Sequence, residues 1–138
     1  MTDRILVAYD GSDPADSALE YAFETFPDAS VTALYVIPVY EGYWTSFGEG
    51  ERELERARER GEKTLEGATE IAAAYDRDLE TEIASGEPER TIIDVAAEEE
   101  YETIVVGSHG REGVSRILIG SVAEAVVRRS PTPVIVVR

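Results

Sequence analysis

The chain contains no cysteine, one histidine, one lysine, one methionine and one tryptophan in 138 residues. Without cysteine there can be no disulfide, no thiol nucleophile and no thiolate-ligated zinc or iron–sulfur centre. A single histidine, His109, cannot hold zinc, and it stands one residue after Ser108 without the G-x-S-x-G elbow of a serine hydrolase. A Walker A loop needs Gly-Lys-Ser/Thr, and no lysine is available for one. No apolar run reaches the ~18 residues that span a bilayer, and the charged opening Met1-Thr2-Asp3-Arg4 is unlike a secretory leader. The expected location is therefore cytoplasmic. Basic residues are also scarce: 13 Lys+Arg face 29 Asp+Glu, for a net charge of -16. Broad contact with nucleic acid or anionic membrane relies on a basic surface and is disfavoured.

What is present is a foldable chain. Hydrophobic residues make up 43% and fall in periodic blocks, too apolar for disorder, and the length supports one domain with a core of its own. Five β-branched blocks, Arg4 to Tyr9, Val31 to Ile37, Leu79 to Ala84, Thr103 to Val106 and Pro133 to Val137, alternate with helical spacing. That order predicts a parallel sheet covered by helices on both faces. The first and fourth blocks are near-continuously apolar, as in doubly buried strands, whereas Leu79 to Ala84 alternates with acids and suits an edge. Ser12-Asp13-Pro14 predicts a helix start with proline at the first helical position, and Phe26-Pro27 its end. From Glu51 to Tyr75, Leu54, Ala57, Gly61, Leu65, Ala68, Ala72 and Tyr75 recur every three or four residues on one stripe, with Glu59 and Lys63 spaced for an ion pair on a solvated face. Pro88 opens a third helix to Glu99, and Gly120-Ser121 a fourth to Arg129. Pro38 to Gly50 is irregular and carries Tyr40, Tyr43, Trp44 and Phe47, which suits a loop folded onto a ligand, a partner subunit or its own domain.

In an open parallel sheet, ligands gather at the carboxyl ends of the strands. The segments there are Asp10-Gly11-Ser12, Pro38-Val39 and Gly107-Ser108-His109-Gly110. Gly107, Gly110, Gly120 and Ser121 form a G-x2-G-x9-G-S arrangement between a strand end and a helix start. Glycines permit close approach, and the free N–H groups of a helix start attract an anion, which together suit a phosphate chain. Taken one at a time, the glycines could be turn residues, Ser121 a cap worth about 1 kcal/mol, and His109 a loop side chain.

On these residues the chain resembles the universal stress proteins, in particular the nucleotide-binding branch marked by Gly107, Gly110, Gly120 and Ser121. The likeness extends over the opening Ile-Leu-Val-Ala-Tyr-Asp-Gly-Ser, the Leu-Tyr-Val-Ile of the second strand, the Gly-Glu-Pro before the third helix and the Ser-Val-Ala-Glu-Ala-Val-Val-Arg-Arg-Ser-Pro-Thr-Pro-Val close. Where some nucleotide-binding members have proline, this chain has Ala8. The resemblance implies one domain over residues 1–138, a Rossmann-like α/β open sheet of five parallel strands in the order 3-2-1-4-5 with helices on both faces. It further implies ATP or another adenine nucleotide as ligand, with Asp10 at the adenine or ribose and the Val36 backbone at the adenine edge. Val106 and Gly107 would line the ribose, and His109, Gly110, Gly120, Ser121 and Val122 would hold the phosphates. Mg²⁺ or Mn²⁺ would join through phosphate and water oxygens.

A homodimer through the last strand, Pro133 to Val137, is also implied. The uncharged edge of that strand independently favours being covered. The expected function is stress-response regulation through nucleotide binding and dimerisation. The alternatives are a slow ATPase or phosphoryl or nucleotidyl transferase on the same site, and a nucleotide-independent dimeric module. Acidity combined with arginine as almost the sole base further resembles salt-adapted proteins. Charge is unevenly placed: residues 1–102 hold 27 acids and 8 bases, net -19, while residues 103–138 hold 2 acids and 5 bases, net +3. The segment expected to meet phosphate is thus locally basic.

Overall fold

A computed structural model describes residues 3–39, 49–108 and 120–138. The elements follow in the order β1 (Arg4–Ala8), α1 (Asp13–Thr25), β2 (Ser30–Pro38), α2 (Glu49–Ala74), β3 (Glu80–Gly86), α3 (Pro88–Glu98), β4 (Thr103–Gly107), α4 (Ser121–Arg129) and β5 (Val134–Val137). The strands form one parallel sheet in the order β3-β2-β1-β4-β5, as the resemblance implies. β1 and β4 are central and present Leu6, Val7, Ile104 and Val105 fully buried, which is why the middle of each strand is apolar and Arg4 and Thr103 stand at their starts. β3 is an edge strand, and its alternating acids place charge at the border of the sheet.

Side-chain alternation divides the core in two. Ile5, Val7, Val31, Ala33 and Val105 face α1 and α2. Leu6, Leu34, Ile104 and Val106 face α3 and α4, meeting Ile92, Val95, Ala96 and Val126. Each fully buried Leu, Ile or Val stabilises this arrangement by about 1.5–3 kcal/mol over its exposed state.

Helix boundaries reflect local chemistry. At the start of α1 the Ser12 hydroxyl accepts the N–H of Ala15 at 3.3 Å, and Asp13 precedes Pro14, so proline takes the second helical position rather than the first. α2 buries the expected stripe at Ala57, Gly61, Leu65, Ala68 and Ala72, with Leu54 and Tyr75 half-buried. Its small residues let it lie close to the sheet: a Cβ on Gly61 would stand 2.7 Å from the Tyr35 ring. The expected Glu59–Lys63 pair does not form. The two ion pairs among the described residues are Arg56–Glu53 and Arg128–Glu124, both exposed. Ordering two long side chains costs entropy that a water-screened attraction barely offsets, so the spacing permits such a pair without requiring it. Strand ends differ from the expected blocks by one or two residues, and the aromatic segment Tyr40 to Phe47 lies outside the described residues.

Candidate functional site

The sheet changes direction at β1, because the chain lays β2 and β3 on one side of it and β4 and β5 on the other. A crevice opens at the carboxyl ends of the strands there, as this topology dictates. β1 stops at Ala8, paired with Leu34, whereas β2 continues four residues further to Pro38. The resulting space, about 380 Å³, is walled by the ends of β1, β2 and β4 and the first turns of α1, α3 and α4. That volume suits a small organic ligand.

Three polar features face it. Asp10 is the carboxylate among its described lining residues, and one of its oxygens accepts the N–H of Ser12 at 2.9 Å, a turn that fixes the side chain at the rim. Val36 presents its backbone. The N–H of Tyr9 reaches the carbonyl of Leu34 at 2.8 Å, so Leu34 addresses β1 and, by strand alternation, Val36 addresses the same side two residues on. β1 has turned away at that level, and no backbone partner for Val36 is found there among the described residues. An N–H donor and a C=O acceptor, side by side, therefore edge the crevice.

The third feature is the start of α4. Gly120 caps it without any side-chain hydrogen bond, whereas α1 is closed by Ser12 with Asp13 and Asp16 in its first turn, and α3 opens with Pro88 and Glu89. Of these three helix starts α3 and α4 lack a side-chain cap, and the first-turn carboxylate of α4, Glu124, pairs with Arg128 at 3.0 Å.

Tyr9 supports the floor. It is buried, its hydroxyl donates to Asp16 at 2.5 Å, and burial together with the Asp16 carboxylate holds the phenol far above its ordinary range, so it remains a neutral donor. Gly107 departs from the role its motif suggests. A Cβ there would stand 2.2 Å from the Pro14 carbonyl oxygen, so the room left by the missing side chain is filled by the first turn of α1.

Of the residues singled out by the sequence, Asp10, Val36, Val106, Gly107, Gly120 and Val122 line this one crevice. Ser121 lies exposed beside it on α4 and is not part of the lining, and His109 and Gly110 fall outside the described residues. Pro38, at the strand end the sequence pointed to, also lines it, whereas sequence reasoning missed Leu34, Pro88, Ile92 and Ala123, which complete its apolar walls. Pro88 and Ile92 stand four apart on one face of α3, a signal present in the sequence but indistinguishable there from ordinary core spacing. Among the described residues no group of three or more His, Cys, Asp or Glu is placed to hold a metal ion, and no helix is long and apolar enough to cross a membrane.

A doubly wound α/β protein with a small-molecule crevice at its switch point is the class these features define. The chain belongs to the universal stress protein family, whose sequence model matches residues 1–138. A universal stress protein of Methanocaldococcus jannaschii is 34% identical over 144 residues, covering 98% of this chain and 81% of that protein. The solved structure of protein MJ0577 superposes with a TM-score of 0.79 at 33% identity, over 99% of this chain and 96% of that one. An Arabidopsis thaliana universal stress protein family protein, solved with AMP bound, shares the fold at a TM-score of 0.71 and 20% identity, over 98% of this chain and 90% of that one.

Proposed function

We propose that the crevice binds an adenine nucleotide, ATP being the first candidate, and that the protein acts in stress-response regulation through that binding. The observation that carries this reading is the pairing, around one crevice, of an unpartnered donor–acceptor edge at Val36 with the uncapped start of α4. An N–H beside a C=O matches a ring nitrogen beside an exocyclic amine, which is the hydrogen-bonding edge of adenine. The apolar walls, including Ile92 and Val106, suit a flat aromatic base. The free carboxylate oxygen of Asp10 suits a sugar hydroxyl. The N-terminus of α4 suits phosphate, and the net +3 of residues 103–138 adds attraction there. The AMP carried by the Arabidopsis relative belongs to the same ligand class.

The donor set also bears on the expected cation. With one carboxylate in the described lining, Mg²⁺ or Mn²⁺ would be held chiefly by phosphate and water oxygens and would neutralise phosphate charge. We also propose that two copies pair through β5, the edge strand whose four residues are all apolar.

The test is thermal unfolding of the purified chain with Mg-ATP. At ligand concentrations near a hundred times Kd, the native state gains about 2.7 kcal/mol and the midpoint rises. An unchanged midpoint at saturating AMP, ADP and ATP would overturn the reading. Val36→Pro removes the crevice N–H while sparing the ladder to β3, which uses Tyr35 and Ile37, and it should weaken ATP binding by about tenfold.

A further inference from the structure

The loop that carries Asp10 to the crevice is tied to the core by the residue before it. The Tyr9 side chain is buried on the α1–α2 face of the sheet, and its hydroxyl donates to the Asp16 carboxylate at 2.5 Å. The Asp16 N–H in turn bonds the Ser12 carbonyl at 2.9 Å, and the Ser12 N–H bonds the Asp10 carboxylate at 2.9 Å. Because Tyr9 and Asp10 are joined by a peptide bond, these contacts close a ring through residues 9, 10, 12 and 16. The exposed carboxylate of Asp10 thus depends, through two backbone bonds and one side-chain bond, on a hydroxyl buried beneath it.

The other contacts of this loop fix where its backbone lies. Gly11 takes a left-handed φ of 82°, and a Cβ there would stand 2.9 Å from the Thr64 methyl of α2. The Pro14 carbonyl fills the space left by Gly107 of β4. Close approaches of this kind limit position and leave the direction of a side chain to its hydrogen bonds. The Tyr9–Asp16 bond supplies that direction. A buried hydroxyl facing an ionised carboxylate makes a short, charge-assisted bond that is costly to leave unmade.

We propose that Tyr9, acting through Asp16, is a positioning residue that aims the Asp10 carboxylate at the sugar of a bound nucleotide and so makes the crevice select ligands that carry ribose hydroxyls. A carboxylate binds a hydroxyl only when aimed at it, and a ligand without that hydroxyl leaves the carboxylate unpaired. Selectivity between the two ligands therefore measures how well Asp10 is aimed. Tyr9→Phe keeps the ring and removes only the donor, which frees Asp16, lets Ser12 turn and loosens Asp10. The apolar walls and the start of α4 are untouched by that change. The selectivity rests on the nucleotide reading above; the hold of Tyr9 on the loop does not.

Calorimetric titration of the intact chain with Mg-ATP and with Mg-2′,3′-dideoxy-ATP, which lacks both sugar hydroxyls, reads the selectivity as a ratio of Kd values. In the wild type ATP should bind about tenfold more tightly than the analogue, and Asp10→Ala should bring the ratio near one. Tyr9→Phe and Asp16→Ala should cut the ratio to about threefold or less, whereas Asp16→Asn keeps an acceptor oxygen and should retain most of it. Tyr75→Phe removes a comparable bond, to Glu24 at 2.6 Å, outside the crevice lining and should leave the ratio unchanged. Equal weakening of ATP and the analogue in Tyr9→Phe is the mark of a merely structural role and overturns the proposal, as does a wild type that binds both equally. If no nucleotide binds, the crevice reading falls, and amide exchange of the ligand-free chain decides the hold of Tyr9 on the loop. The Ser12 amide should then exchange about tenfold faster in Tyr9→Phe than in the wild type, and an unchanged rate overturns the positioning role.

Discussion

Arg77 closes helix α1 from the far side of α2. Its guanidinium donates to the carbonyls of Phe23, Phe26 and Ala29 at 2.8–3.0 Å and lies 5.1 Å over the Phe23 ring, while α1 itself has no basic residue in its last turn. One planar fork bonds three carbonyls, of which that of Phe26 also accepts the N–H of Ala29 at 3.2 Å, and it opposes the helix dipole, which a lysine's single ammonium cannot reproduce. Arg77→Ala should lower stability by about 2–3 kcal/mol in urea unfolding with an unchanged m-value, and Arg77→Lys should recover less than half of that loss.

Gly107 gives a second expectation at this scale. Because its missing side chain makes room for the Pro14 carbonyl, Gly107→Ala should cost about 2 kcal/mol or more without any ligand present, a loss that a purely phosphate-binding glycine would not show. Asp10 and the glycine pattern were legible in the sequence because turn chemistry is local. The role of Gly107 was not, since the atom it accommodates lies 93 residues earlier in the chain.

Both α2 and α3 end in a turn that sends a backbone N–H back to a carbonyl five residues earlier, Arg77 to Ala72 and Tyr101 to Ala96, each at 2.9 Å. The residue before each donor, Asp76 and Glu100, adopts φ of 55° and 58°, where glycine is the usual occupant. Glu100→Gly should therefore raise stability by about 1 kcal/mol, through relief of the left-handed strain and removal of a carboxylate from a negative helix end. Chemical denaturation midpoints check it, and a lower midpoint would contradict the account. The stripe of α2 was readable as a helix because burial repeats every three or four residues. How closely the helix approaches the sheet followed from the contact of Gly61 with Tyr35, which no single-helix pattern contains.

Across the whole molecule, net charge opposes compaction, since 29 acids face 13 bases. Added KCl should raise the thermal midpoint until screening saturates, with most of the gain below about 1 M, where the Debye length falls to about 3 Å. The β5 edge bears on assembly. Ile104 and Ser108 donate to the carbonyls of Pro133 and Val137, so by alternation Val134 and Val136 turn their N–H and C=O outward. Val136→Pro removes an outward donor while sparing the ladder to β4, and it should shift a dimer toward monomer in analytical ultracentrifugation with little change in monomer stability. An unaltered dimer would place the contact elsewhere.

By itself, the sequence determined the β-α alternation, the apolar central strands, the acidic exterior and the strand-end position of the glycine motif, because each depends on residues close in the chain or on composition alone. Tertiary structure decided which strand ends share a crevice, that Ile92 and Pro88 form its wall, that Val36 turns an unpaired edge into it, and that Arg77 reaches the carbonyls of Phe23, Phe26 and Ala29. Those facts depend on which distant segments become neighbours, and burial energy, blind to chain separation, selects them only when the whole sheet assembles.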